Sequence, residues 1–252
     1  MHTAQTLTNL LQSLTLTLAT NMKDKSIGSR LLTAAALVSC GKTVCDVGCD
    51  HGKLSLYLIQ SGKAQKIIAT DINKMPLQKA IDLFAENGLS HKAEFYLTDG
   101  LQNITDTDDI THVVICGLGG DTMAQIIENA PFIKHNKVKL VLIPAQSGNK
   151  IRQYLYHSGF EITGETTVGE NKKFYSAICA EYTGIKFDCT DFDCFVGKSR
   201  YCTDQSAKGY FEMVHTQLKK REKGFIIDTG ICPDGIADAI ARLEALLDNF
   251  YN

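Results

Sequence analysis

No run of eighteen or so apolar residues occurs anywhere in the 252-residue chain, so no helix that spans a membrane is expected. The first 22 residues carry neither Lys nor Arg, which argues against a secretory signal and against a transit peptide, and a cytoplasmic location follows as the expectation. A large excess of charge of either sign is also missing. The formal net charge is −2, so there is no global nucleic-acid footprint, and any RNA contact must come from a local patch. Internal repeats and low-complexity segments are absent. The nine cysteines include no Cys-x-x-Cys pair, and the cluster Cys189, Cys194 and Cys202 has no histidine close by in sequence. A zinc site is therefore not expected, and free thiols in a reducing compartment are. Cys45 and Cys116 fall within apolar strands, where a thiol serves as a small apolar residue.

What is present suits one α/β domain with an appendage. The hydrophobic fraction of 44% is enough for a core. The organising stretch is Thr43-Val-Cys-Asp-Val-Gly-Cys-Asp-His-Gly-Lys-Leu54, read as an apolar strand, a turn punctuated by Gly48 and Gly52, and a helix start whose free N–H groups face a ligand. Lys66-Ile-Ile-Ala-Thr-Asp71 is a second buried strand, and its final acid has the spacing of a carboxylate on ribose hydroxyls. The dinucleotide fingerprint G-x-G-x-x-G lacks its middle glycine here, and Asp50 stands where a pyrophosphate would approach. Negative charge at Asp46 and Asp50 suits a cation or zwitterion, so a nicotinamide-dinucleotide oxidoreductase is the weaker reading of this block.

Along the chain, Leu7, Leu10, Leu11, Leu14 and Leu18 fall at helical spacing, so residues 1–22 are read as an amphipathic, helical N-terminal extension. Residues 23–186 then alternate strands and helices. Strands are expected at Ala93–Leu97, Thr111–Cys116 and Lys139–Ile143, and a final antiparallel hairpin at Phe160–Thr167 and Phe174–Tyr182 around the polar turn 169–173. The fold class is α/β: a doubly wound, Rossmann-like parallel sheet closed by that hairpin. From about residue 187 the alternation stops. Two helices, Gln205–Lys223 and Asp234–Tyr251, carry apolar stripes (Tyr210, Phe211, Val214, Leu218; Ile236, Ile240, Leu243, Leu247, Phe250) and form an antiparallel pair over residues 187–252.

Ligands of such sheets lie at the carboxyl ends of the strands, where four blocks arrive: Asp46 to Gly52, Asp71-Ile72, Asp99-Gly100 and Cys116 to Asp121. Asp71 is read as accepting from ribose hydroxyls, Ile72 as packing on an adenine face and Asp99 as receiving its amino group, though each acid singly also reads as a cap or turn residue; Arg30 reads equally as reaching a carboxylate or as a surface charge. His51 is read as orienting the turn, and Tyr175 as a stacking surface for a base. Lys208, Lys219, Lys220, Arg221 and Lys223 cluster on one helix, as a solvated face or as phosphate contacts.

The strand–turn–helix block resembles the first motif of class I methyltransferases, which bind S-adenosylmethionine. Asp46-Val-Gly-Cys-Asp-His-Gly52, Cys116-Gly-Leu-Gly-Gly-Asp121 and Asn171-Lys-Lys-Phe-Tyr175 stand in the order seen in the bacterial tRNA adenine-22 N1-methyltransferases, the TrmK family. The chain is similar to that family from about Ile27 to its end, including the C-terminal helices, which form a coiled-coil-like extension there. The resemblance implies S-adenosylmethionine as donor and tRNA as substrate. It also implies Arg30, Asp46, Gly48, Asp50, His51, Gly52, Asp71, Ile72, Asp99, Gly100, Cys116 and Gly117 at the cofactor, with Gly119, Gly120, Tyr175, Lys219, Lys220 and Arg221 at the substrate. Asp50 and Asp121 are the candidates to offset charge that develops on the base. No metal and a monomer are expected. The family often has Gln-Pro-Asn after its fifth strand where this chain has Ile143-Pro144-Ala145, with Gln146 following, and the first 20 or so residues extend beyond the family's usual start. Two other readings stay open: methyl transfer to another RNA base or a small molecule, and a cofactor- and RNA-binding protein that has lost turnover.

Overall fold

The computed structural model describes residues 27–135 and 137–251, and the helix expected on Leu7 to Leu18 lies outside them. In chain order the elements are α1 (Ser29–Leu37), β1 (Gly41–Val47), α2 (Lys53–Gln60), β2 (Ala64–Asp71), α3 (Lys74–Glu86), β3 (Ala93–Leu97), β4 (Ile110–Cys116), α4 (Gly120–Glu128), α5 (Phe132–His135), β5 (Lys139–Ile143), α6 (Gly148–His157), β6 (Phe160–Glu170), β7 (Lys173–Tyr182), α7 (Asp191–Phe195), α8 (Gln205–Thr229) and α9 (Asp234–Asp248).

The sheet runs β3-β2-β1-β4-β5-β7-β6. β1 to β5 pair in parallel, whereas β7 is antiparallel to both β5 and β6. Helices cover both faces, so the central strands are apolar on both sides, and neighbours along a strand serve different cores. In β4, Val113 and Ile115 join Met123, Ile151 and Phe160 on one face, while Val114 joins Ala34, Leu58 and Phe84 on the other. The chain leaves β1 for β2 on one side and reaches β4 on the other. That switch point opens a crevice at the carboxyl ends of these strands.

Three differences from expectation bear on the fold. The hairpin strands run on to Glu170 and start at Lys173, leaving a two-residue turn with Asn171 and Lys172 at φ 50° and 62°. Such turns match the twist of the flanking strands and favour Asn-Gly; a lysine in the second place costs about 1 kcal/mol. α8 continues six residues beyond Lys223, through Gly224, and stops at Gly230, which caps it at φ 79°. A glycine inside a helix costs only about 1 kcal/mol, too little to end one that is packed along its length. Lastly, α7 stands where no element is expected from the sequence pattern. Thr190 and Asp193 cap it reciprocally, each side chain accepting from the other's backbone N–H at 3.1 Å.

A third core, built from Phe192, Phe195, Tyr210, Phe211, Val214, Leu218, Ile236, Ile240 and Leu243, belongs to the segment after β7. It joins the sheet in two ways. Gly209 of α8 lies on the Phe174 ring, where an added Cβ would fall 2.2 Å from a ring carbon. Arg152 of α6, fully buried, donates to both Glu165 carboxylate oxygens at 2.9 and 3.0 Å, to the carbonyls of Cys194 and Phe195, and to the Tyr210 hydroxyl. Burial works against the charged guanidinium, but Glu165 and Tyr210 outweigh it and raise its pKa. No helix among the described residues is long and apolar enough to cross a membrane.

Candidate active site

The turn after β1 is shaped by backbone bonds before any side chain acts. The N–H groups of Gly48 and Cys49 both donate to the Thr70 carbonyl at the end of β2, at 2.8 and 2.9 Å. Gly48, Asp50 and Gly52 all take positive φ, and a Cβ on Gly52 would fall 2.8 Å from that of Ala80 in α3. The turn is thereby pressed against the neighbouring helix, with the side chain of Asp50 turned to solvent. His51 lies beside it: its Nε2 is 3.6 Å from Asp50 Oδ1 and 3.3 Å from Lys79 Nζ.

Asp46 is different. It is 2% exposed and accepts from Ser55 Oγ at 2.6 Å, which ties β1 to α2 beneath the turn. Burial pushes its carboxyl up to about 6 despite that hydrogen bond, with nearby Asp71 adding to the rise.

Asp71 accepts from Asp50 N at 3.1 Å through one oxygen and from Asn73 N at 2.8 Å through the other. Each oxygen keeps a further lone pair. Leu97 pairs with Asp71 across the sheet. Leu97 and Ile72 are 56% and 65% exposed, and Met75 at the start of α3 is 72% exposed. An acid flanked by three uncovered apolar side chains at strand ends suits a sugar bearing a flat heterocycle. Asp99 is exposed in the bend after β3, and Gly100 beside it is buried against Ile126.

Across the switch point, Arg30 lies over the Tyr175 ring at 5.3 Å, and its Nη1 stands 3.2 Å from where a Cβ on Gly117 would be. Glu170 accepts from Arg30 N at 3.1 Å and approaches Nε at 3.9 Å, yet Nε itself is buried without a hydrogen-bond partner. Such a donor suits a carboxylate. Cys116, next to Gly117, is a neutral thiol: burial first, then Asp46, raises its pKa. The loop Gly117–Gly120 zips to the loop after β5. Leu118 O accepts from Ala145 N at 2.9 Å, Gln146 O accepts from Gly120 N at 3.0 Å, and the Gln146 amide lies against Gly119.

Tyr175 also lines a cleft of about 390 Å³ with Ala145, Lys172, Lys173 and, from α8, Glu212 and Met213. Asp121 lines a different groove, with Gln125, Lys150 and His157 between α4 and α6. The structure thus does not bring it into the Tyr175 cleft. The basic helix is partly spoken for: Lys219 pairs with Glu222 at 2.6 Å, and Arg221 stacks on Phe195, while Lys220 is exposed. A histidine does lie near the C-terminal cysteines, but in space: His157 Nε2 is 3.7 Å from Cys189 Sγ. Among the described residues no three side chains are placed to hold a metal ion.

A methyltransferase-domain family model matches residues 27–178. The tRNA (adenine(22)-N(1))-methyltransferase of Bacillus subtilis (strain 168) is 30% identical over 162 residues, which cover 64% of this chain and 67% of that protein. The chain belongs to the tRNA (adenine(22)-N(1))-methyltransferase family. Streptococcus pneumoniae Sp1610, solved with S-adenosyl-L-methionine, is 26% identical with a TM-score of 0.75, over 88% of this chain and 99% of that one. The crystal structure of B. subtilis TrmK, at 22% identity and TM-score 0.71 over 90% and 99% of the two chains, has the same fold.

Seen as a member of this family, the chain has a strand-end site that fits a sulfonium nucleoside with an amino-acid tail. Asp71 and the exposed apolar trio suit its adenosine half, and Arg30, whose Nε makes no hydrogen bond, suits its carboxylate. Four neighbours of the site are invisible or barely visible in the sequence pattern: Ser55, Met75, Glu170 and Gln146. Glu170 accepts from a backbone N–H 140 residues earlier in the chain, and no local pattern announces such a contact.

Two buried groups give the chain a pH signature, His112 near the start of β4 and Asp46 beneath the turn after β1. His112, buried in β4 between Ser39 Oγ at 2.8 Å and Thr111 Oγ1 at 3.0 Å, is pushed down to about 4 by burial, with Lys139 and Lys63 adding to the shift. Unfolded chain takes up that proton near its ordinary 6.5, so stability falls as pH drops from there toward 4. Asp46 acts in the opposite sense: folded protein binds its proton at about 6 and unfolded protein at 3.8, so stability rises as pH falls through that window. Asp46→Asn removes the offset. Urea unfolding between pH 7 and 4 is expected to show a steeper acid loss in this variant than in the native chain, and equal slopes would contradict the assignment.

Proposed function

We propose that this chain is an S-adenosylmethionine-dependent methyltransferase that modifies N1 of an adenine in tRNA, at position 22 as in the family to which it belongs. The observation that carries this reading is the pairing of Asp71, flanked by exposed Ile72 and Leu97, with an Arg30 whose Nε makes no hydrogen bond and has Glu170 only at 3.9 Å. When bound, the cofactor supplies an electrophilic methyl group. Asp71 accepts from the ribose hydroxyls, Ile72 and Leu97 cover the adenine, Asp99 takes its amino group, and Arg30 holds the carboxylate. Gly48 to Gly52 form the wall on which the amino-acid tail lies.

Adenine N1 attacks through its own lone pair, so no side chain need remove a proton first. The chain's task is to present the base with N1 about 3–3.5 Å from the carbon and to keep water out. A paired N1 is blocked, hence the nucleotide enters unpaired or flipped. Tyr175 offers a ring for stacking, and Gln146, against Gly119, offers an amide in place of the Gln-Pro-Asn pattern. Positive charge grows on the base during transfer, and the solvent-facing Asp50 is our candidate carboxylate to offset it. Lys172 and Lys173, at the mouth of the Tyr175 cleft, are the phosphate contacts nearest to the base, with Lys219, Lys220 and Arg221 farther along α8.

The test is incubation with unmodified tRNA and labelled S-adenosylmethionine, then nucleoside mass spectrometry. 1-Methyladenosine that vanishes in Asp50→Ala is the expected product. Cofactor and tRNA binding without transfer would instead favour a protein that has lost turnover, and transfer only to other acceptors would move the substrate. Replacing Lys219, Lys220 and Arg221 by Ala is expected to weaken tRNA binding and to lower its salt slope by roughly 0.9 for each phosphate that the helix no longer neutralises. An unchanged affinity would remove α8 from this account.

A further inference from the structure

A helix capped by a reciprocal Ser/Thr box brings the residue before the cap against the fourth helical residue, and apolar side chains usually fill these two places. In α7 the cap is Thr190, and the two places are Cys189 and Cys194. Their sulfurs stand 3.1 Å apart, about 1 Å more than a covalent S–S bond. Local folding therefore holds two thiols in near-bonding contact, and the capping box fixes the spacing. The pair is asymmetric. Cys194 is buried, and its backbone carbonyl accepts from Arg152 Nη1 at 3.1 Å, whereas Cys189 is partly open and has His157 Nε2 at 3.7 Å.

We propose that Cys189 and Cys194 form a redox-active dithiol, a modification site that closes to a disulfide by exchange with a low-molecular-weight disulfide such as oxidised glutathione. Cys189, having passed its proton to His157, attacks one sulfur of the small disulfide and expels the other half as a thiolate. The thiol of Cys194 then loses its proton to solvent and attacks the Cys189 sulfur, expelling the second small thiolate. Both leaving thiolates take up protons. Two protein thiols are oxidised, one small disulfide is reduced to two thiols, and no other reactant is needed. Burial and the hydrogen bond that the Cys194 thiol donates to Cys189 raise the Cys194 pKa, which leaves Cys189 as the first nucleophile and Cys194 as the second. The product ties the segment leaving β7 to the helix that Arg152 holds.

Both cysteines lie in one tryptic peptide, Phe187–Lys198, which makes the readout direct. The full chain is treated with oxidised glutathione, its remaining thiols are alkylated, and the digest is weighed. The expected result is that peptide lighter by two hydrogens and carrying neither alkyl group nor glutathione. Cys194→Ser should instead trap glutathione on Cys189, and Cys189→Ser should leave Cys194 alkylated. His157→Gln should slow the adduct at Cys189 several-fold, and an unchanged rate would strike the histidine from the scheme. If the native peptide stays doubly alkylated under conditions that modify the exposed Cys40, the proposal fails. None of these readouts depends on methyl transfer.

Discussion

Arg152→Ala is expected to lower the stability of the chain by roughly 3–5 kcal/mol, the usual loss when one partner of a buried ion pair is removed. The reason lies in what is left behind. Glu165 stays fully buried with its charge and keeps only the Ser199 N–H and hydroxyl as donors, at 3.1 and 2.8 Å. The carbonyls of Cys194 and Phe195 lose their common donor. Because those carbonyls belong to α7 and the Tyr210 hydroxyl to α8, the loss is also expected to loosen the third core from the sheet. Chemical unfolding of the full chain measures the first effect, and amide exchange in α7 and α8 the second. Arg152→Met combined with Glu165→Leu should recover much of the loss, since an apolar pair of similar volume carries no stranded charge. A single variant within about 1 kcal/mol of the native chain would overturn the account.

Asp71→Ala is expected to weaken S-adenosylmethionine binding on the order of a hundredfold. A hydrogen bond to a charged group contributes roughly 1.5–3 kcal/mol, and about 1.4 kcal/mol is a factor of ten in affinity. Two such bonds to a ribose diol would exceed the stated loss, and solvent entering the gap returns part of it. Asp71 has a second task, since its oxygens also hold the N–H groups of Asp50 and Asn73. Asp71→Asn keeps an acceptor for one of them and should fall between the two. Calorimetric titration of the full chain without tRNA checks this directly. An alanine variant that binds within about threefold of the native chain would take Asp71 out of the cofactor site.

Much of the fold is legible in the residues themselves. Continuous apolar runs such as Thr111–Cys116 mark strands covered on both faces, and the acids at 46, 71 and 99 mark their ends. The resemblance to a methyltransferase family rests on the same blocks. What the sequence hides is of two kinds. Short elements such as α7 bury too little to leave a periodic trace, although the Thr190/Asp193 box is written in the sequence. Contacts over long sequence distances leave no trace at all. Nothing local to Arg152 announces that Glu165 and Tyr210 close around it. The long reach of α8 is masked because Gly224 resembles a stop, while the glycine that ends the helix is Gly230, which alone of the two takes the left-handed conformation.

With 25 residues, α8 is about 37 Å long, and its foot rests on the hairpin, with Gly209 against one aromatic ring. That ring, Phe174, is the immediate neighbour of Tyr175 and sits on the same hairpin as Glu170, which caps the backbone of Arg30. Arm and jaw therefore share one fulcrum. Under the proposed function, a tRNA held far out on the helix would pull, through this contact, on the strand that borders the crevice. A molecule that touches only the crevice would exert no such pull, so grip at a distance and alignment at the reacting base would be a single mechanical act.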